Sequence, residues 1–116
     1  MDTTDLVVAI LGAALDVEVS TEVPEDRPER FVQVDLAGDQ SDAFVLRPRY
    51  ALTCWGATDK DAHSIAVSCV DALREAAMDD DHLSSVAMES MSRDGWGRTG
   101  QARYLVEVDL TINTDE

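Results

Sequence analysis

Residues 102–113 read ARYLVEVDLTIN, which is the most regular pattern in the chain. Every second residue of this stretch is apolar, and the residues between them are mostly polar. Such alternation predicts a strand with one buried face and one solvated face, which favours antiparallel neighbours in the sheet. The buried series consists of Tyr104, Val106, Val108, Leu110 and Ile112.

Four more strands are predicted on the N-terminal side of this one. Alternation of apolar and polar residues marks residues 17–22, 30–36 and 47–55, and a weaker form of it marks residues 83–91. Polar stretches rich in Gly, Pro or Asp separate these strands, as expected of loops and turns. In the third strand, Tyr50, Leu52 and Cys54 should face one side of the sheet, and Trp55 should face the other.

Two helices complete the predicted fold. The first is expected from Thr3 or Thr4 to Leu15, and the second is expected to begin after Thr58, which starts a capping-box pattern, and to end near Ala77. The element order is therefore α-β-β-β-α-β-β. It predicts an α+β fold with one mixed, mostly antiparallel sheet and both helices packed on one face. We expect residues 1–116 to form a single domain.

The charge of the chain excludes several kinds of partner. Its 116 residues carry 24 acidic and 9 basic side chains, a formal charge of −15. Nonspecific binding to nucleic acid requires an excess of Lys and Arg, and so does binding to an anionic membrane surface. No apolar run approaches the length of about 18 residues that a membrane-spanning helix needs. A hydrophobic content of 45% nevertheless predicts a folded chain.

The basic residues are almost all arginines, because Lys60 is the sole lysine. Arginine forms fixed bidentate contacts with carboxylates, so scattered arginines on an acidic protein could join copies of it to one another. Biased codon usage or a salt-rich host would give the same composition, and both interpretations stay open. The candidate partner contacts are Arg27, Arg30, Arg47, Arg49, Trp96, Arg98 and Arg103.

Catalytic and cofactor motifs are not convincing in this sequence. Residues 95–100 match G-x-G-x-x-G, but a strand follows them where a dinucleotide site needs a helix, so a hairpin loop is expected. Cys54 and Cys69 lie on predicted apolar faces and are expected to be buried free thiols. Asp59 and His63 are one helical turn apart and are expected to form a local ion pair. We therefore predict a protein that is not an enzyme and has no cofactor or metal.

Several stretches, taken in order and spacing, resemble a known family. They are residues 17–34 (VEVSTEVPEDRPERFVQV), residues 50–58 (YALTCWGAT), the helix with Ala62 and Ala66, and residues 100–108 (GQARYLVEV). Together they look like the small tail-terminator proteins of long-tailed phages, particularly those of actinobacterial hosts. The resemblance covers nearly the whole chain.

This resemblance implies an α/β domain that forms a homo-hexameric ring on the completed tail tube. Such a ring ends polymerisation of the major tail tube protein and joins the tail to the head–tail connector. It implies a place at the tail–neck junction of the virion, with the host cytoplasm as the site of assembly. DNA would pass through the lumen without specific binding. The family provides no catalytic residues.

Two other functions remain open from the sequence. A head-closure or tail-completion ring of the neck is similar in size and fold to a tail terminator. A small α/β ligand-binding or regulatory domain would need a concave polar pocket. The candidate loops for contacting tube or connector are residues 23–30, 36–46 and 92–101.

Overall fold

The structure is a computed structural model and describes residues 3–26, 28–42, 45–79, 83–93 and 102–113. Within these residues the chain forms two helices and six strands. The elements are α1 (Thr3–Ala14), β1 (Glu18–Ser20), β2 (Phe31–Asp39), β3 (Val45–Leu46), β4 (Pro48–Gly56), α2 (Asp59–Asp79), β5 (Leu83–Arg93) and β6 (Ala102–Asn113).

The predicted strand at residues 102–113 is β6, and it lies inside the sheet. It pairs antiparallel with β4 on one side and with β5 on the other, and the short β3 extends the β4 side. The strand β2 pairs antiparallel with the outer side of β4, and β1 adds three parallel pairs to the start of β2. The predicted α+β class, the element order and the mostly antiparallel sheet are confirmed.

The core lies between the helices and one face of the sheet. Tyr50, Leu52 and Cys54 are fully buried on this face of β4, as their alternation predicted. The helix α2 packs against β4, β5 and β6 and also contacts α1. Burial of the apolar stripes of both helices therefore holds them on one side of the sheet. The buried stripe of α2 is Ala62, Ile65, Ala66, Cys69, Val70, Ala72 and Leu73.

The fully buried Tyr50 fixes the start of α1. Its hydroxyl group lies 2.6 Å from Thr3 Oγ1 and 2.9 Å from Thr4 Oγ1. A buried phenol without a hydrogen-bond partner would cost free energy, and the two threonines remove that cost. In the parts of the chain that the structure describes, no helix is long and apolar enough to cross a membrane.

The second strand and the loop after it differ from the prediction. β2 continues to Asp39 instead of ending at residue 36, and β3 occupies Val45–Leu46 within the predicted loop. The pairing of β2 with β4 slips between Leu36 and Gly38, which marks a bulge that lets the strand continue. Side-chain alternation breaks at a bulge, so the sequence pattern stops before the strand does.

Other predicted boundaries also need small corrections, including shifts of one residue at the end of α1, the start of β2 and both ends of β4. β1 covers Glu18–Ser20 within the predicted 17–22, and it pairs with Phe31–Gln33 at the start of β2. α2 ends at Asp79 and β5 ends at Arg93, each two residues later than predicted. Met78 and Asp79 are exposed, so solvent weakens the unfavourable interaction between an acid and the helix C-terminus.

Cys54 of β4 and Cys69 of α2 are buried free cysteines, as predicted. Their sulfur atoms lie 3.9 Å apart across the interface between strand and helix. The Cys69 thiol and burial raise the pKa of Cys54, so the thiol is kept in its protonated form. Both cysteines therefore serve as packing residues of the core.

Gly56 ends β4 where α2 approaches the sheet most closely. A Cβ atom at this position would lie 2.4 Å from the backbone nitrogen and 2.8 Å from the Cα of Ala62. The lack of a side chain therefore allows the first turn of α2 to pack against the end of β4.

We expect Gly56→Ala to lower the free energy of unfolding by about 1–3 kcal/mol, as other overpacked sites do. The matched control is Gly12→Ala in α1, because a Cβ at Gly12 would have no atom within 4 Å. A helical Gly→Ala change should raise stability by up to about 1 kcal/mol. Urea denaturation of both variants measures the difference. Equal stability of the two variants would contradict the close approach at Gly56.

Candidate functional site

The candidate contact residues that the structure describes lie in two groups. Arg47 and Arg49 lie near the start of β4, where β4 meets the end of β2. Arg30 precedes β2 and Arg103 lies near the start of β6, at the opposite end of the same sheet. The chain measures 47 Å along its longest axis. The four described candidate residues therefore lie on two separate surfaces, one at each end of the sheet.

Arg49 is the centre of the first surface, on the sheet face away from the helices. Its Nε lies 2.7 Å from Asp109 Oδ1 and its Nη2 lies 3.1 Å from Asp109 Oδ2, a bidentate pair across β4 and β6. Glu89 of β5 lies 3.7 Å from the same guanidinium. The hydrogen bonds from Arg49 lower the pKa of Asp109. One arginine thus links three strands and offsets two acids of an acidic chain.

A cavity of about 300 Å³ opens beside Arg49. Arg47 lies at its edge and pairs with Asp42, with Nη1 3.4 Å from Asp42 Oδ2. Asp39 accepts a hydrogen bond from the backbone of Ser41, which shapes the turn after β2. The cavity is lined by Ala37, Gly38, Asp39, Gln40, Arg47, Arg49, Asp109, Leu110 and Thr111. Its lining is therefore polar and carries charges of both signs.

A buried aromatic row lies beneath the second surface, because Phe31 is 0% exposed and Trp55 is 6% exposed. Phe31 of β2 pairs with Trp55 of β4, and Trp55 pairs with Arg103 of β6, so the three side chains share the helix-free face. The two rings lie 5.8 Å apart, and the Arg103 guanidinium lies 5.9 Å from the Trp55 ring, within cation–π range. Trp55 therefore faces away from the helical core, as predicted. The row itself depends on strand register, which sequence alone did not reveal.

Arg30 ties three segments together at the same end. Its Nε donates to Asp61 Oδ2 at 3.0 Å, and its Nη1 lies 3.6 Å from Asp16 Oδ1. Asp61 also accepts the backbone N–H of Ala57 at 3.0 Å, while its own N–H donates to Thr58 Oγ1. The bond to Thr58 is the N-cap half of the predicted capping box, whereas the Asp61 carboxylate binds the residue before the cap instead of Thr58 itself. Arg30 thus contributes to the fold while 41% of its side chain remains exposed.

The expected ion pair between Asp59 and His63 is replaced by two other contacts. Asp59 pairs with Arg93 of β5, whose Nη2 lies 3.2 Å from Asp59 Oδ2. The His63 ring packs against Tyr104, with ring centroids 5.1 Å apart. Both contacts link α2 to the sheet, the first to β5 and the second to β6. Among the described residues, no group of three or more His, Cys, Asp or Glu side chains is arranged to hold a metal ion.

The remaining candidate contacts, Arg27, Trp96 and Arg98, lie outside the described residues. So does the G-x-G-x-x-G stretch at residues 95–100. β5 ends before this stretch and β6 begins after it. Both strands reach the end of the sheet that carries Phe31, Trp55 and Arg103.

Comparisons with known proteins identify solved structures with a similar fold. One of them is a chain of a structure described as the virion of a native gene transfer agent particle. The two chains superpose with a TM-score of 0.57 and 17% sequence identity, over 94% of this chain and 85% of the other. This likeness shows the fold. No protein-family model and no curated protein matches the chain.

The Asp61 carboxylate provides a pH test of this end of the molecule. The Ala57 N–H and then Arg30 lower the pKa of Asp61 below the ordinary value of about 3.9. Its ionised form therefore stabilises the fold above about pH 4, and this contribution is lost as the pH falls through the lowered pKa. We expect Asp61→Asn to be less stable than wild type by about 1 kcal/mol at pH 7, with the gap narrowing below pH 4.

Denaturant unfolding from pH 7 to pH 2.5 measures this gap. The control is Asp71→Asn, which removes an exposed carboxylate from the middle of the same helix and should change stability by less than about 0.5 kcal/mol. A gap that stays constant as the pH falls would contradict the charge-assisted cap.

Proposed function

We propose that this protein is a structural component of a phage-like virion and forms a hexameric ring that ends the tail tube. The observation that carries the proposal is the shared fold, over 94% of the chain, with a chain of a gene transfer agent virion. The resemblance of residues 17–34, 50–58 and 100–108 to tail terminators specifies the ring and its position. The ring ends polymerisation of the tube protein and joins the tail to the neck.

The two separated surfaces support contacts with two different partners. A ring between tube and connector needs one contact surface on each of its ends. The group around Arg47 and Arg49 and the group around Arg30 and Arg103 lie at opposite ends of the sheet. Both groups combine arginines with carboxylates, so each surface presents charges of both signs that a complementary neighbouring protein can match.

The net charge determines how the ring interacts with DNA. Six copies of a chain of charge −15 hold about −90 before counterions screen it. Such a ring repels the phosphate backbone. Low affinity of the assembled ring for DNA at low salt is the expected consequence, since phosphate binding needs cations.

We expect six copies at the junction of tail and neck in purified virions. Deletion of the gene should leave tails of uncontrolled length that do not join heads. Electron microscopy of the deletion particles and mass measurement of the isolated protein on tails test both parts. A strict monomer in purified virions would contradict the ring. Tails of normal length that lack heads would instead support a neck-closure ring.

Trp96 and Arg98 are expected to anchor a neighbouring protein. Replacing either residue with Ala should weaken assembly by at least about 2 kcal/mol, roughly thirtyfold in affinity, as loss of an interface anchor does. The isolated variants should unfold at the wild-type denaturant midpoint. Arg74→Ala on the exposed face of α2 is the control and should assemble normally. Unfolding of the Trp96→Ala chain would assign that side chain to the core.

A further inference from the structure

Among the strands that the structure describes, the sheet has two open edges. On one side, β5 pairs only with β6 within the described residues. On the other side, β1 covers only Phe31–Gln33 of β2, and no described strand lies beside β2 from Val34 to Asp39. Proteins usually protect long edges with charged residues, especially Lys, with Pro or with β-bulges. Neither β5 nor this part of β2 contains Pro or Lys.

Each open edge carries an exposed apolar side chain in the same row of the sheet. Leu36 of β2 is 47% exposed and Met88 of β5 is 41% exposed. Leu36 pairs with Tyr50, Tyr50 pairs with Val108, and Val108 pairs with Met88. Tyr50 and Val108 are fully buried beneath the helices, so Leu36 and Met88 end this row on the helix-bearing face.

We propose that β5 of one copy pairs with residues 34–39 of β2 in the next copy, so that the sheet continues from subunit to subunit. The proposal deepens the ring assignment and rests on it. β2, β4, β6 and β5 alternate in direction, so β5 runs antiparallel to the β2 of a copy placed beside it. Because the two edges differ, the contact is head-to-tail, which is the type that closes into a ring.

The side chains of the two edges are compatible in this register. The row that contains Leu36 would bring it against Met88 of the neighbour, with the helices of both copies on the same side. No row brings two acids together, although the chain carries −15. The adjacent rows would join Val34 to Met91, Asp35 to Ser90 and Gly38 to Ala87.

Bulges next to both apolar residues provide curvature. The pairing of β2 slips between Leu36 and Gly38, and that of β5 slips between Met88 and Ser90. A bulge bends its strand and increases its twist. A sheet that continues through such positions curves, as closure into a ring requires.

Disulfide trapping tests the pairing directly. The double variant Leu36→Cys with Met88→Cys should form a ladder of oligomers that ends at a closed ring on a non-reducing gel. Native Cys54 and Cys69 are buried and do not contribute. Each single variant should remain unlinked, and so should Leu36→Cys with Met78→Cys, which uses another exposed methionine. The reaction is run on the purified protein and on virions.

Charge substitutions provide a second test of the pairing between β5 and β2. Leu36→Glu and Met88→Glu should each reduce ring formation at least about tenfold, because each buries an unpaired charge. Combining Leu36→Lys with Met88→Glu should restore it. Val67→Glu, at an exposed apolar position on α2, should leave the ring intact. Circular dichroism checks that each chain is folded.

The outcomes separate this inference from the proposed function. A wild-type ring on tails without cross-links in the double variant overturns the edge pairing and leaves the tail-terminator role intact. Cross-linked dimers from Leu36→Cys alone overturn the head-to-tail arrangement. A monomer in virions overturns both.

Discussion

The antiparallel pairing of β4 with β6 is the interaction on which the rest of the structure depends. Eight residue pairs, from Arg49 with Asp109 to Gly56 with Ala102, join these strands in an unbroken register. On one face this register aligns Tyr50 and Leu52 with buried valines of β6 and Cys54 with the partly buried Tyr104, which creates the apolar surface on which α2 packs. On the other face it brings Arg49 to Asp109 and Trp55 to Arg103. A slip of one residue would exchange the two faces.

Sequence patterns predicted the elements with the strongest periodicity. The bounds of β6 were predicted correctly, because side chains alternate without interruption from Ala102 to Asn113. α2 was also predicted well, since its apolar stripe repeats at helical spacing and Thr58 with Asp61 caps it. The end of β2 and the short β3 were missed because the bulge after Leu36 breaks the alternation. Local pattern predicts a strand only as far as its pleat is regular.

The sequence predicted which residue types form the candidate site, but it did not predict which residues contact one another. The arginines were recognised because Arg favours fixed contacts with carboxylates. Their partners were not, since Arg49 and Asp109 are sixty residues apart and only strand register brings them together. Phe31, Trp55 and Arg103 likewise belong to three different strands. Pairing between distant strands is thus the information that single-sequence reasoning lacked.

The position of β6 between β4 and β5 also determines how the chain can reach its fold. In the chain, α2 connects β4 to β5, and these two strands do not pair with each other. β5 has no described strand neighbour except β6. During synthesis, residues 48–93 leave the ribosome before the strand that joins them, so two strand edges stay unpaired until residue 113 has emerged. Non-local pairing of this kind slows folding and exposes intermediates to aggregation. The most regular strand in the sequence is therefore also the one whose pairing completes the sheet.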